Sequence, residues 1–238
     1  SIADSRVNLL DLDTGALSLL AGGGTDKSAN FPVAFDDANE GIWFITDAGS
    51  EFRQLAWQPA SPDAEPEIIT TDLDWDVGGA EISHDRRRLA FTTNESGRSR
   101  VYLMDTRTRE YRQVGNIPTG VVFGLTFSPD DRHLAMTLNT ATSPSDTYVL
   151  ALGRGATAHG GLERWTFSEV GGLDTTAFVT PELIEYPTFD EVDGKPRMIP
   201  AWVYKPRGRG PFPVVVSIHG GPEGQSRPTF SSTYQMWL

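Results

Sequence analysis

The sequence predicts a mainly β protein, with β-propeller blades of four antiparallel strands followed by the first strands of an α/β domain. Two observations predict this order. Short strands recur at a spacing of about 45 residues over the first two thirds of the chain, which is typical of propeller blades. Near the end, a run of β-branched residues stops at a Gly-Gly turn, which is typical of a buried parallel strand.

The repeat is defined by three apolar residues at the ends of predicted strands. Phe35, Ile82 and Phe127 stand 47 and 45 residues apart. Each is followed by a turn and a short apolar strand, at 41–46, 88–93 and 133–138. A second pattern recurs at 6–11, 100–105 and 146–151. A β-sandwich is the alternative, but a sandwich does not repeat its own sequence, so the pattern favours a propeller.

We therefore predict that residues 1–168 form the C-terminal part of a propeller, about three and a half blades. Three blade starts are complete, and residues 6–21 supply the outer half of the blade before them. A propeller closes with at least about four blades. Because fewer blades leave open sheet edges, we expect another chain, or more of the same protein, to complete the ring.

The composition changes after about Phe167. We predict a Gly/Thr-rich linker at 169–182 and the truncated N-terminal part of a second domain at 183–238. Strands are predicted near 183–189 and 199–204, with a turn at Asp193-Gly194 between them. An apolar helix is predicted from Tyr234 to the end of the chain.

The Val-rich run in this second domain is the most informative stretch of the sequence. Val214, Val215, Val216 and Ile218 predict a strand buried on both faces. The run stops at His219-Gly-Gly-Pro222, where two glycines permit a turn that side chains would block. In α/β-hydrolases the loop after the third strand supplies one N–H of the oxyanion hole. The second domain is therefore predicted to begin an α/β-hydrolase catalytic domain.

These motifs together resemble the prolyl oligopeptidase family of serine peptidases, and in particular its acylaminoacyl-peptidase and dipeptidyl-aminopeptidase branches. The resemblance rests on blades that run into 199–206 (Ile-Pro-Ala-Trp-Val-Tyr-Lys-Pro) and then into 219–225 (His-Gly-Gly-Pro-Glu-Gly-Gln). Two blade segments, 74–76 and 91–97, are similar to those of bacterial members. The resemblance implies a serine peptidase that releases a dipeptide or an acyl-amino acid, or cleaves oligopeptides, while the propeller gates access.

The same resemblance implies roles for four residues after the Val-rich run. The backbone N–H of Gly221 would contribute to the oxyanion hole, and Gly220 would shape the same turn. Glu223 and Gln225 would contact substrate at the edge of the site, although Glu223 is equally well explained as a solvated loop carboxylate. The Ser-Asp-His triad would lie beyond Leu238, so the fragment alone is expected to be inactive.

No nucleophile motif competes with this interpretation. The nearest approach to Gly-x-Ser-x-Gly is 224–228, which lacks the last glycine and follows the wrong strand. His219 is expected to brace the turn, because a general base needs a nearby nucleophile. A calcium loop beginning at Asp72 fails, since Val77 replaces the required glycine and Ser83 the required glutamate. We therefore predict neither a metal nor a cofactor.

Composition limits the partners. The net charge of −12 disfavours nucleic acid and anionic membranes, which require a basic surface. The chain has no cysteine, which excludes disulfides and a thiol nucleophile. The expected partners are a peptide substrate and the remainder of the same protein, a homo-oligomer is left open, and a cytoplasmic location is expected.

Two other functions remain open from the sequence. The first is a propeller that acts as a binding module beside a degenerate hydrolase domain. The second is an esterase on the same scaffold. The intact His-Gly-Gly-Pro turn favours the peptidase, because a degenerate domain has no need to keep it.

Overall fold

The computed structural model describes residues 4–25, 27–62, 64–221 and 224–238. In these ranges the chain folds almost entirely into antiparallel β-sheets. The strands that precede the linker are β1 Val7–Leu10, β2 Leu17–Ala21, β3 Asn30–Phe35, β4 Gly41–Thr46, β5 Gln54–Pro59, β6 Glu67–Ile68, β7 Val77–Ile82, β8 Arg88–Glu95, β9 Arg98–Asp105, β10 Tyr111–Gln113, β11 Gly120–Phe127, β12 His133–Thr140, β13 Ser143–Leu152 and β14 His159–Arg164. After the linker come β15 Glu182–Val192, β16 Lys195–Val203 and helix α1 Ser232–Trp237.

The sheets confirm the predicted blades. β3–β6, β7–β10 and β11–β14 each form a four-stranded sheet in which neighbouring strands follow chain order. β1 and β2 form a two-stranded sheet before them, as expected for the outer half of a preceding blade. The first strands of the three sheets contact one another, β3 with β7 and β7 with β11, so they line the inner side of the array.

The predicted repeat is visible in the hydrogen bonds of the turns. The turn between the first and second strands of each blade is closed by the same backbone bond: Asp36 N–H to Gly41 O, Ser83 N–H to Arg88 O and Ser128 N–H to His133 O, each 2.9 Å long. Asp131 also joins two blades, because its carboxylate accepts the N–H groups of His84 and Asp85 at 2.8 Å.

The core lies between the sheets. Apolar side chains from facing blades pack into continuous clusters, and Phe91 in β8 is fully buried in one of them. Its ring stacks on Tyr102 with centroids 4.9 Å apart and meets the edge of Tyr111 at 5.4 Å. The blades are therefore stabilised mainly by burial of apolar surface between neighbours.

The first part of the second region also follows the prediction. β15 and β16 form an antiparallel hairpin. Asp193 and Gly194 both have positive φ, 53° and 73°, which is the backbone of the tight turn that Asp-Gly favours. Helix α1 is present, with the side chain of Ser231 accepting the Tyr234 N–H as its N-cap.

The prediction for the Val-rich run is wrong for the described structure. Residues 213–220 carry no strand assignment, and the side chains of Val214, Val215, Val216 and Ile218 are 85%, 67%, 76% and 83% exposed. The physical reason is that a central strand is buried and hydrogen-bonded by neighbours on both sides. Among the described residues no strand pairs with this segment.

The boundaries proposed at 168/169 and 182/183 stay a prediction. The structure shows that β14 ends at Arg164 and β15 begins at Glu182, with one short 3₁₀ helix, Thr175–Ala177, between them. Within the described ranges, no helix has both the length and the apolar character needed to cross a membrane.

Candidate active-site face

The segment after the Gly-Gly turn lies across the hairpins of two blades. The Asn94 side chain, beside the β8–β9 turn, donates from Nδ2 to Oε1 of Gln225 at 2.8 Å. The Phe230 N–H donates to Oδ1 of Asn139 in β12 at 2.7 Å. These two contacts define one face of the blades, the hairpin face, where the second and third strands of each blade are joined.

A glycine in the β8–β9 turn permits this close approach. Gly97 has φ of +89°, a conformation that disfavours any residue with a Cβ. A Cβ there would lie 2.7 Å from the backbone oxygen of Ser226 and 3.2 Å from Nε1 of Trp202. The blade turn therefore fits against both β16 and the segment that carries the predicted site.

The predicted oxyanion turn is exposed. Gly221 has φ of +142°, so its backbone takes a conformation that favours glycine. An added Cβ on Gly220 would meet nothing within 4 Å, which leaves open space beside the turn. Nδ1 of His219 lies 3.2 Å from the Gly220 carbonyl oxygen, in keeping with a bracing role for His219. Glu223 lies outside the described residues.

Helix α1 connects this segment to the linker and the last blade through Gln235. Its Oε1 accepts the Val179 N–H at 2.8 Å, and its Nε2 donates to the Val179 carbonyl oxygen at 3.0 Å. The same Nε2 donates to the carbonyl oxygen of Ala141, in the β12–β13 turn, at 2.9 Å. One side chain thus satisfies backbone groups of two separate segments.

The neighbouring tyrosine of the helix holds the Val-rich run. The Tyr234 hydroxyl lies 3.0 Å from the Ser217 hydroxyl, and its ring packs against Tyr204 with centroids 5.7 Å apart. Burial, and then the nearby Tyr234, raise the pKa of Tyr204 to about 12. The Tyr204 ring therefore remains a neutral packing partner near pH 7, and α1 positions the run that leads to Gly221.

The exit from the last blade is fixed by a buried carboxylate. Asp146 in β13 has no exposed side-chain surface and pairs with Arg164. It also accepts hydrogen bonds from the Thr166 hydroxyl at 2.8 Å and the Ser168 N–H at 2.9 Å. Burial acts to raise the pKa of Asp146, but these hydrogen bonds outweigh it and hold the pKa below its usual range.

A pocket of about 600 Å³ opens between the inner strands β7 and β11. Gly78, Gly79 and Ala80 form one wall, and residues 121–125 form another. Two arginines, Arg53 and Arg227, also line it. Arg227 belongs to the segment just after the Gly-Gly turn, so the pocket and the predicted site share that segment.

The sequence predicted only some of the residues on this face. It predicted Gly220, Gly221 and Gln225, which the structure places in one segment beside the hairpin face. It missed Arg53, Asn94, Arg227 and Gln235, because each acts through a contact with a residue distant in sequence. No sequence motif predicts contacts of this kind. The position of Arg227, two residues after the predicted site residue Gln225, was the one signal that it belongs to the same site. Among the described residues, no group of three or more His, Asp or Glu side chains could hold a metal ion.

Comparison with solved structures places this architecture among known folds. A structure from a study of two prolyl endopeptidases is similar over 100% of this chain and 33% of its own, with 17% identity and a TM-score of 0.77. The structural neighbours of this chain are prolyl oligopeptidases with a β-propeller fold. The predicted β-propeller fold is thereby confirmed, whereas the hydrolase strands and the acylaminoacyl-peptidase branch stay predictions.

Two further structures agree with this fold. Prolyl oligopeptidase B from Galerina marginata, bound to a 25mer macrocyclization substrate, matches 82% of this chain and 26% of its own, with 11% identity and a TM-score of 0.62. TolB from Acinetobacter baumannii matches 68% of this chain and 37% of its own, with 20% identity and a TM-score of 0.51. The chain thus spans about a third or less of the peptidases that it matches. No protein-family model matches the sequence.

Proposed function

We propose that this chain belongs to a serine peptidase that cleaves short peptides, releasing an N-terminal dipeptide or an acyl-amino acid, or cutting within oligopeptides. In this proposal the chain supplies part of the propeller and the oxyanion turn, and the catalytic Ser, Asp and His lie beyond Leu238. The propeller gates access to the site, and the protein acts in the cytoplasm. The fold likeness to prolyl oligopeptidases supports the class of enzyme.

One observation carries the assignment. Gly221 has φ of +142° in an exposed turn, and residues 225–227, a few positions later, contact the β8–β9 hairpin of a blade. A backbone N–H aimed at a substrate carbonyl stabilises the negative charge that develops on that oxygen in the transition state, and one such donor contributes roughly 3 kcal/mol. Because the donor is part of the backbone, it requires a turn conformation and no particular side chain.

The other residues of the turn would serve the same reaction. Gly220 leaves space for the substrate carbonyl, and His219 keeps the turn closed. Gln225 would contact substrate from the loop edge, with its orientation fixed by Asn94 at 2.8 Å. Glu223 would meet the free amino group of a peptide, which is the group that distinguishes a dipeptide-releasing enzyme from one that takes acylated peptides.

The test uses the complete protein and a serine-reactive fluorophosphonate. We expect covalent labelling at one serine beyond Leu238 and hydrolysis of short chromogenic peptides that stops after labelling. Matched substrates with free and acetylated N-termini then separate dipeptide release from acyl-amino-acid release. Labelling at a serine within residues 1–238 would overturn the proposal. Hydrolysis of simple acyl esters with no hydrolysis of any peptide would favour an esterase instead.

A further inference from the structure

The pocket between β7 and β11 has a charge opposite to that of the whole chain. The net charge of the chain is −12, yet the charged side chains that line this pocket, among the described residues, are Arg53 and Arg227. A ligand with a negative charge is repelled by most of the surface and attracted here. The pocket, called the arginine pocket below, therefore has the electrostatic character of an anion site.

Arg53 is held in place and still open to a ligand. Its Nη2 donates to Oδ2 of Asp76 at 3.2 Å, and its backbone N–H donates to Oδ1 of the same residue at 2.9 Å. The two side chains are 36% and 37% exposed. A guanidinium has five N–H donors in a fixed fork, so the contact with Asp76 orients Arg53 and leaves donors for a second carboxylate.

Uncharged polar groups complete the lining. Thr92 and Thr93 line the pocket on β8, and Ser99 lines it on β9. Glu95, the last residue of β8, accepts the hydroxyl of Thr93 at 3.0 Å. The same carboxylate pairs with Arg100 at 3.3 Å and accepts the Tyr102 hydroxyl at 3.1 Å. The charge of Glu95 is therefore balanced by Arg100 and that of Arg53 by Asp76, which leaves Arg227 as the source of the net positive charge at the pocket.

The length of chain between Gly221 and Arg227 limits how far the pocket can lie from the proposed oxyanion turn. Arg227 is the sixth residue after Gly221, and six extended residues span at most about 20 Å. A bound peptide also extends by about 3.3 Å per residue. A peptide whose scissile carbonyl lies at Gly221 thus reaches the arginine pocket within roughly six residues.

We propose that the arginine pocket binds a carboxylate of the peptide substrate, no more than about six residues from the bond that is cleaved. This inference rests on the proposed peptidase function. The carboxylate has two sources, the C-terminus of a short peptide or an acidic side chain, and arginine recognises both by the same forked hydrogen bonds. Either way, the pocket selects short acidic or free-ended peptides over neutral, amidated ones.

Equilibrium binding tests the pocket without catalysis. Unreactive N-acetylated peptides of four to six residues are compared as free acids and as C-terminal amides, using calorimetry on the complete protein. We expect the acid to bind about 10-fold more tightly than the amide at low salt, because a hydrogen bond to a charged group is the stronger kind. The preference is expected to weaken as ionic strength rises. An amide that carries one glutamate separates a side-chain carboxylate from a terminal one.

Three variants locate the effect. Arg53→Gln and Arg227→Gln each remove one guanidinium and are expected to abolish most of the preference for the acid. Arg132→Gln is the matched control, because its side chain is 80% exposed in the β11–β12 turn, beside Asp130, and it changes the net charge by the same amount. Equal binding of acid and amide to the unmodified protein, or an equal loss in Arg132→Gln, overturns the proposal.

Kinetics separates the pocket from the peptidase assignment. In an active peptidase, both pocket variants are expected to raise KM for the acid and leave kcat nearly unchanged, since a remote contact is made equally in the ground state and the transition state. A protein that binds acids over amides but hydrolyses no peptide would refute the proposed function and keep the arginine pocket. A protein that hydrolyses peptides but binds acids and amides equally would keep the proposed function and refute the arginine pocket.

Discussion

The blades and the Val-rich run contain the same kinds of residue in opposite environments. Phe91 and Leu89 of β8 have no exposed surface, whereas Val214 in the run is 85% exposed. In the blades, each strand pairs with one close to it in sequence, so β8 finds β7 and β9 across short turns. The run at 213–220 has no such neighbour among the described residues.

This comparison shows that an apolar β-branched pattern indicates a tendency to form a strand. It does not determine whether the residues of that segment are buried or exposed. Backbone N–H and C=O groups need partners, and in antiparallel hairpins the local chain supplies them. A parallel strand obtains its partners only through long connections. The prediction of a strand at Val214–Ile218 therefore needed information that the local sequence does not contain, and the prediction of blades did not.

The first prediction compares the two regions directly and has the largest expected effect. Phe91→Ala removes a buried ring that stacks on Tyr102 and is expected to destabilise the blades by about 3–5 kcal/mol. Val215→Ala, in the exposed run, is expected to change the stability of residues 1–238 by less than about 0.5 kcal/mol. Urea unfolding of both variants, followed by tryptophan fluorescence, measures the two values.

The same pair of variants can be measured in the complete protein. If further strands of the complete protein cover Val215, its truncation is expected to cost about 1–2 kcal/mol there, while the cost of Phe91→Ala stays the same. A Val215→Ala variant that is neutral in both contexts would contradict the placement of this run within a sheet.

The candidate site divides in the same way between what the sequence predicts and what it does not. The Gly-Gly turn, the Asp193-Gly194 hairpin and the blade starts follow from local backbone rules. Gln225 meets Asn94, which is 131 residues away, and Gln235 meets Ala141, which is 94 residues away. Contacts of this kind depend on how whole sheets are placed, so composition and spacing do not predict them.

The second prediction concerns Gly221 in the complete protein. Alanine at φ of +142° is strained and would turn the N–H away from the substrate oxygen. We expect kcat to fall by about 10²-fold with little change in KM, because the lost contact exists mainly in the transition state. Steady-state kinetics with a chromogenic peptide measures this, and labelling by a fluorophosphonate is expected to slow in parallel.

A stability measurement shows whether this variant still folds. The expected loss is only about 1 kcal/mol, the scale of a strained turn residue. Gly208→Ala is a suitable control, because Gly208 also has positive φ but lies in the loop before the run. A folded Gly221→Ala protein with unchanged kcat would mean that another group supplies the oxyanion contact.

The third prediction concerns the exit from the last blade and its dependence on pH. Asp146→Asn removes the charge that Arg164 and Thr166 contact and is expected to cost about 2 kcal/mol at pH 7. Because the pKa of Asp146 is lowered in the folded state, its contribution is complete above the unfolded value near 3.9. The contribution is lost as pH falls through the folded value.

The measurement is urea unfolding of the unmodified chain and Asp146→Asn between about pH 7 and pH 3. The gap between their unfolding free energies is expected to narrow at the acid end, below the unfolded pKa near 3.9. Asp37→Asn, at an exposed turn position, is the control and is expected to show little gap at any pH. A gap for Asp146→Asn that stays constant down to pH 3 would contradict the role of its ionised carboxylate.

The last prediction concerns the smallest effect, at the junction of the two regions. Gln235→Ala removes the bond that the Val179 N–H donates and the two bonds that Nε2 donates to Val179 and Ala141. The side chain is only half-buried and water replaces part of what is lost, so we expect a global loss of about 1 kcal/mol. The local effect is more specific, because the Val179 amide loses its acceptor and is expected to exchange with solvent about 10-fold faster. Hydrogen exchange followed by mass spectrometry of peptides that span residues 174–182 measures this, with β8 as an internal reference.

Gln225→Ala is the matched control, since its contact with Asn94 is exposed and joins other segments. If exchange at Val179 is the same in Gln235→Ala and in the unmodified chain, Gln235 does not hold the linker. The junction between the blades and the Val-rich run must then depend on aromatic contacts, those of Tyr204 with Tyr234 and of Phe178 with Phe230.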